Sequence, residues 1–407
     1  MPKILIVHPE GNIKNNPNLF AITRMMVENG WEVLVYSRRR PGIYQGDIFP
    51  GARFVFFEET VRDTIRLESS FADEDIRFVI GIDDFGIYKA KEIASFLGVK
   101  YLFLSYEILF DAEIKRIGCR IDRINKKRAK AAVRHAECAI VQDETRKQIL
   151  SREYGIPQDK IYLMPVANSG SHMVERTHYF YDKFAIPYEK KILLYMGWMD
   201  KKQEQRMVEF AKYLPDDWVL VAHSRYRYQT TIDSEWLGKK LFFSGDAPVE
   251  SMDEMGIMLS SCSMGFCSYE PDYSSIYTGD NIKYIGLSSG KTTTFLQYGV
   301  PVIVENMNIW DELVEPKKIG LVMHQPGDLA KLSNINPSVY AENAIRYFEE
   351  YLDAKIYWEK IWEMMKEWMH PGKFNRCQFN QYKCSLYTAF YKETARACTK
   401  RIFKNIK

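Results

Sequence analysis

Ser288-Ser289-Gly290-Lys291 is the run in this chain best suited by residue type and spacing to hold a phosphate group. Ser288 or Ser289 can cap the helix predicted to follow, and Gly290 lets the backbone come close to a ligand. The first amides of a helix lack partners inside it, and the positive end of the helix dipole adds to their pull on an anion. Lys291 contributes a full charge, and Thr292 follows it at the helix mouth. The turn Gly299-Val300-Pro301 ends the helix, and Val302-Ile303-Val304 reads as a short buried strand. The same residues also make an ordinary helix start that binds only water, so the run needs support from elsewhere in the chain.

Other candidates fall at predicted strand ends. Gly197 closes an apolar strand, and Lys201 and Lys202 just beyond it can supply a second cation or be plain surface lysines. Glu270, in Tyr269-Glu270-Pro271-Asp272, can bind a sugar or ribose hydroxyl or form a salt bridge. In the first half of the chain Asp83, Asp84 and Glu107 end strands and are candidate catalytic carboxylates, with His8 as a fourth candidate base. Helix capping or solvation of a strand end is the alternative use of each. The adjacent pair Asp83-Asp84 has no further ligand cluster, so no metal site is expected.

The elements that must position these residues alternate strand and helix. Ile4–Val7, Trp31–Ser37, Phe54–Phe57, Arg77–Asp84, Lys100–Glu107, Ala136–Val141 and Ile161–Pro165 read as strands of a first domain. The helix over 19–29, closed by Gly30, makes the opening a β-α-β unit of a doubly wound α/β domain. The loop after its first strand has no GxGxxG, so a dinucleotide is not expected there. Residues 168–190 read as a linker, and a second α/β pattern fills 191–350, with strands at 191–196, 218–223, 241–245, 264–269, 302–304 and 321–324. Helices and a basic tail occupy 351–407.

Composition sets bounds. The 407 residues are enough for two or three domains, and 46% hydrophobic with 27% charged residues is the balance of a soluble globular chain. Seven cysteines with no CxxC pair suggest neither a disulfide framework nor a zinc site. No apolar run approaches membrane-spanning length, and a strand starting at Ile4 leaves no room for a signal peptide, so a cytoplasmic protein is expected. The net charge of +3 is unevenly spread. A helix is expected over 114–134, with Ile114, Ile117, Ile121 and Ile124 on one face and Lys115, Arg116, Arg120, Arg123, Lys126, Lys127 and Arg128 among its nine cations, against Asp122 alone. It reads as a solvated helix packed by its isoleucines, or as a surface for an anionic membrane or acceptor. The tail 373–407 carries nine basic residues and the aromatics Phe374, Phe379, Tyr382, Tyr387, Phe390 and Tyr391. A helix packed on the body is the first reading of it and a membrane-surface patch the second. No nucleic-acid-binding motif is present, and none is expected as a partner.

Several runs, taken in order, resemble family-4 glycosyltransferases, the retaining, nucleotide-sugar-dependent group of the GT-B architecture. Asp159-Lys160-Ile161-Tyr162-Leu163-Met164-Pro165 is similar to the family's crossover between domains, and Ile192–Lys202 to the opening of its second domain. Gly290-Lys291 with Phe295–Ile303 resembles the family's donor-site helix, and Trp310–Val314 and Ile319–Val322 resemble the next elements of its second domain. The resemblance implies two Rossmann-like domains facing a cleft, with C-terminal helices. It implies a nucleotide-diphosphate sugar as co-substrate, no metal or other cofactor, and a glycan or lipid-linked acceptor. The function it implies is hexosyl transfer in cell-surface polysaccharide or glycolipid synthesis, at the inner face of the plasma membrane. Another GT-B activity, such as nucleotide-sugar 2-epimerisation, and a non-catalytic partner subunit are the alternatives. The diphosphate falls to Gly197, Lys201, Lys202, Ser288, Ser289, Gly290, Lys291 and Thr292, and the sugar or ribose to Glu270 and Thr294. The chain departs from the family at its two glutamates eight residues apart, which are Gly286 and Thr294 here, and at the arginine after the first-strand glycine, here Trp198.

Overall fold

The computed structural model describes residues 1–14, 16–39, 50–172, 175–224, 227–245, 252–305 and 307–388. The first domain is built on β1 (Lys3–Val7), β2 (Glu32–Ser37), β3 (Ala52–Phe56), β4 (Ile76–Ile82), β5 (Lys100–Leu104), β6 (Ala139–Val141) and β7 (Ile161–Leu163). They form one parallel sheet in the order β3-β2-β1-β4-β5-β6-β7. The second domain has β8 (Lys191–Gly197), β9 (Trp218–Ser224), β10 (Leu241–Ser244), β11 (Met264–Ser268), β12 (Val302–Glu305) and β13 (Gly320–Val322). Its parallel order is β10-β9-β8-β11-β12-β13. The near-continuous apolar strands are buried on both faces, as parallel sheets require.

In each sheet the strand order reverses beside the first strand, at β1/β4 and at β8/β11. Ligands of open α/β sheets bind in the crevice at the carboxyl ends of such strands. His8 follows β1 and Asp83 follows β4; Trp198 follows β8 and Tyr269 follows β11. The topology thus aims both crevices into one cleft.

The chain crosses between domains twice, at neighbouring points. After the helix Pro337–Tyr351, packed on the second domain through Ala344, Tyr347 and Phe348, Asp353 caps the helix Ala354–Trp368 by accepting from Lys355 N (2.8 Å). Its other carboxylate oxygen accepts from Gly170 N (2.9 Å), in the first crossover. The helix Ala354–Trp368 buries Trp358, Ile361, Trp362 and Met365 against Ile4, Leu19 and Met26 of the first domain. Its burial there follows from aromatic residues at helical spacing.

The tail also returns to the first domain. A helix over 376–388 inserts Phe379 and Tyr382 into the core beside Phe96. Tyr382 and Tyr36 donate to the fully buried Glu68 carboxylate, which pairs with Lys89 at 2.7 Å. A buried carboxylate this well partnered fixes the helix in register. Phe374 and Tyr387 stay exposed, while Phe390, Tyr391 and the basic residues from Lys392 on lie outside the described residues.

One expected element is corrected. The basic helix over 114–134 is two helices, Asp111–Arg116 and Arg120–Val133. The break falls at Gly118, where a Cβ would lie 2.5 Å from the Ile114 carbonyl. The isoleucines do not form one packed stripe either: Ile114 is buried, but Ile117 and Ile121 are 41% and 50% exposed. No helix among the described residues is long and apolar enough to cross a membrane.

Candidate functional site

The second-domain wall of the cleft gathers at the ends of β8, β11 and β12. Ser289 caps the helix Gly290–Gln297, its hydroxyl accepting from Thr292 N at 3.4 Å. The Ser289 carbonyl takes Thr293 N at 3.3 Å, which leaves the amides of Gly290 and Lys291 for a ligand. Ser289 also meets the Thr292 hydroxyl (2.7 Å) and the Tyr269 hydroxyl (3.0 Å), so the cap is locked to the end of β11. Ser288 turns the other way and donates to the Tyr106 carbonyl of the first domain (3.3 Å).

The Lys291 ammonium lies 4.4 Å from the Tyr195 ring centre and 4.7 Å from that of Tyr269. A Cβ at position 197 would stand 3.2 Å from that ammonium, so glycine at the end of β8 makes room for it. Burial, with a smaller contribution from the nearby Arg206 guanidinium, brings the Lys291 pKa down to about 8. A desolvated cation between two aromatic faces and no carboxylate is set to receive an anion.

The second cation is Arg206, which the sequence reading missed. It sits on the helix Lys201–Tyr213, on the face that buries Met207 and Phe210. Its Nη2 donates to Glu305 Oε2 (2.6 Å), its Nε lies 3.7 Å from Glu270, and its buried Nη1 has no hydrogen-bond partner among the described residues. Lys201 and Lys202, favoured for this place, are both exposed, and Lys202 pairs with Glu270 at 3.2 Å. Depth along the helix decides between them: 202 and 206 are i, i+4 and both reach Glu270, but Lys202 lies in the exposed first turn, whereas Arg206 lies one turn further in beside the buried Met207 and Phe210.

Gly290 has a different use from the one expected. What a Cβ there would meet is Val166 (3.1 Å) and Pro17 (3.2 Å) of the first domain, so the glycine admits the domain junction. Thr294 gives its hydroxyl to the Gly290 carbonyl (2.6 Å). The other departure from the family pattern, Gly286, has a physical reason. It has φ +43°, and a Cβ there would lie 2.2 Å from Asp143 Oδ2 of the first domain. Asp143 occupies that space, accepting from Leu287 N (3.0 Å) while its other oxygen caps the helix Glu144–Tyr154.

The first-domain wall is acidic. Asp83 begins the helix Asp83–Leu97 in the left-handed region (φ +52°), a conformation that costs energy for a non-glycine residue and recurs at functional sites. Its Oδ1 accepts from Tyr106 N (2.7 Å) and Glu107 N (2.9 Å). Burial, then the Glu107 charge, hold its pKa well above the carboxylate range. Glu107 is raised as well, mainly by burial, and accepts from the Asn281 amide of the second domain. His8, at the end of β1, is buried and bonded to Asn12. Asp84 is not part of this wall. It is buried in the first domain, accepts from the Tyr154 hydroxyl and feels the charge of Lys126.

The walls are tied together. Arg146, fully buried, donates to Tyr106 O (2.6 Å) in its own domain and to Tyr284 O (2.9 Å) across the cleft. Asn281 Oδ1 accepts from Ile108 N (2.9 Å), and Glu113 Oε1 accepts from Asp280 N (2.6 Å). The segment 280–289 leading into the phosphate-type helix is therefore held by the first domain.

Lys126, grouped above with the surface cations, is buried instead. It is 3% exposed, donates to the Leu109 carbonyl and stands 3.3 Å over the Tyr154 ring. Lys115, Arg116, Arg120, Arg123, Lys127 and Arg128 are exposed as expected.

Two parallel, doubly wound domains joined by a double crossover and facing one cleft are the GT-B fold, and this chain has it. Known structures support the assignment. The chain is similar to sucrose-phosphate synthase from Thermosynechococcus elongatus (TM-score 0.66, 12% identity), covering 90% of this chain and 99% of that one. It is also similar to Anabaena HepE, solved with UDP and glucose (TM-score 0.64, 10% identity, 90% and 100% covered). A third likeness is to a putative UDP-N-acetylglucosamine 2-epimerase from Listeria monocytogenes (TM-score 0.55, 12% identity, 92% and 99% covered). No protein-family model matches the sequence, and no curated protein matches it.

Proposed function

We propose that the protein is a glycosyltransferase that moves a sugar from a nucleotide-diphosphate sugar to an acceptor hydroxyl. The observation that carries this is the pairing of Lys291 and Arg206 at the open amides of the helix Gly290–Gln297, in the cleft of a GT-B fold. HepE, with the same fold, was solved with UDP-glucose. Cleavage of the donor builds negative charge on the leaving phosphate. Preorganised donors in a partly dry site stabilise that charge as it forms, with no protein base needed on that side. Exposed Trp198 follows Gly197 at the rim of this wall.

The facing carboxylates handle the acceptor. Asp83, with one oxygen engaged by two amides, orients a hydroxyl and takes its proton in an inverting course. In a retaining course, the one favoured by the family resemblance, the leaving phosphate takes that proton. The acceptor class we favour is a glycan or lipid-linked glycan precursor of the cell surface.

A thermal-shift panel of nucleoside diphosphates, followed by hydrolysis of the matching nucleotide sugars, tests the reading. Stabilisation by at least one diphosphate is expected, with no response to the free nucleoside. No response to any diphosphate at millimolar concentration would sink it, and would favour a non-catalytic partner subunit. The buried carboxylates with His8 at the end of β1 also suit 2-epimerisation, and chromatography of the sugar product separates that activity from transfer.

A further inference from the structure

The broken basic segment forms a concavity. Gly118 folds the helix Asp111–Arg116 back on the helix Arg120–Val133. Between them lies a cavity of about 560 Å³, within the roughly 300–1,000 Å³ usual for small-molecule sites. Five cations line it, Lys115, Arg123, Lys126, Lys127 and Lys130, with one carboxylate, Asp111. Lys130 already takes that carboxylate. Lys115 and Lys127 are exposed and have no carboxylate partner among the described residues, and Arg123 spends one N–H on the Gly118 carbonyl (3.2 Å). Like charges facing one concave surface repel, and a continuous helix would have spread them around a cylinder. The buried Lys126 adds to the cost, its pKa pushed down to about 8 by desolvation.

The cavity adjoins the cleft. Lys126 donates to Leu109 O, two residues beyond Glu107, and its charge acts on Asp84, next to Asp83. From the second domain Tyr277 lies within electrostatic range of Asp83, Asp84 and Glu107 of the acidic wall and of Asp122 in the first turn of the second basic helix. Arg116 lies 5.2 Å from the Tyr273 ring of the same second-domain loop.

We propose that this cavity binds a phosphate or diphosphate group of the acceptor, which brings the acceptor's hydroxyl to the Asp83–Glu107 wall. The inference rests on the glycosyltransferase reading. Lys115, Lys127 and Arg123 around one concavity, backed by Lys126 and Lys130, suit a compact multivalent anion better than they suit a flat membrane surface. The acceptor then carries its anionic group on one side of the reacting hydroxyl, and the donor diphosphate lies on the other.

Titration calorimetry of inorganic pyrophosphate into the full chain tests this. Two sites are expected in the unmodified protein. Lys291→Ala should keep one, and the double variant Lys115→Glu/Lys127→Glu should keep the other and lose at least tenfold in affinity for the first. UDP affinity of the double variant should stay within twofold. A single site that disappears with Lys291→Ala, or two sites that both survive the double variant, overturns the proposal. Absence of binding by every nucleoside diphosphate of the panel in the unmodified protein would instead defeat the transferase reading, and with it the acceptor assignment, whatever pyrophosphate does. Sedimentation with phosphatidylglycerol or phosphatidylcholine vesicles tells the source of the phosphate. Phosphatidylglycerol binding displaced by pyrophosphate makes it lipid-borne, and pyrophosphate binding without sedimentation makes it soluble; both support the pocket. Sedimentation that pyrophosphate does not displace overturns it in favour of a plain membrane face.

Discussion

The two walls of the cleft solve opposite electrostatic problems by the same means. The second-domain wall withholds water from cations, so that the Lys291 ammonium drops to about 8 and the Arg206 Nη1 has no partner among the described residues. The first-domain wall withholds water from carboxylates, so that Asp83 and Glu107 are pushed upward. A poorly hydrated cation is stabilised by an arriving anion; a poorly hydrated carboxylate is stabilised by an arriving proton. One wall is therefore suited to a diphosphate and the other to a hydroxyl group. The walls also differ in construction. The cationic wall centres on one contiguous loop and helix start, whereas the acidic wall takes Asp83 from the end of β4 and Glu107 from beyond β5.

The largest expected effect breaks the cationic wall. Lys291→Ala should lower turnover by about 10²–10³, the scale of losing one preorganised donor to a developing oxyanion, and should weaken nucleoside-diphosphate binding as well. Wild-type turnover in this variant would remove Lys291 from the site. Next in size is Asp83→Asn. Asparagine tolerates the left-handed backbone and keeps an acceptor for the two amides. In an inverting course turnover should fall about 100-fold, as for loss of a general base, with nucleoside-diphosphate affinity within twofold. Unchanged turnover would assign the proton to the leaving phosphate and a purely positioning role to Asp83.

The same contrast explains what the sequence could tell. The cap at Ser289, the strand ends at Gly197 and Tyr269 and the closing turn at Gly299 are local features, and local pattern revealed them. All thirteen strands were legible as apolar runs between turn residues. Arg206 was not, because its role depends on which turn of the helix Lys201–Tyr213 is covered, and two lysines nearer Gly197 looked the better candidates. Asp143 was missed because its meaning depends on a position 143 residues away, where Gly286 leaves space for it. Lys126 lies in a run of basic residues, and only the break at Gly118 and the packing of Tyr154 decide that it turns inward. Asp84 is adjacent to Asp83 yet points into the domain, since successive residues at a helix start face different ways.

A pH profile sharpens the contrast with a smaller effect. The Lys291 pKa is lowered in the free protein and rises when a diphosphate binds, so binding is strongest below about pH 8 and weakens as pH climbs through it. Nucleoside-diphosphate affinity should fall about tenfold by pH 9, since each unit above the pKa costs one decade of the protonated form. Lys291→Ala should flatten the profile over pH 7.5–9. A slope that survives in that variant would place the titration elsewhere.

The smallest effect separates the two cations near Glu270. Lys202 is exposed, and its pair with Glu270 is a surface ion pair, worth roughly 0–1 kcal/mol before screening by salt. Arg206 is largely covered and braced by Glu305, which also accepts from Ser268 at the end of β11. Lys202→Ala should therefore change UDP affinity by no more than about twofold. Arg206→Ala should cost about tenfold or more, because it removes a desolvated charge and leaves Glu305 buried without it. Arg206→Lys should recover little of that loss, since a point charge cannot bridge Glu305, Glu270 and a phosphate as a planar guanidinium can. Equal effects of Lys202→Ala and Arg206→Ala would mean that the burial of Arg206, one turn further along the same helix face, does not select the second cation.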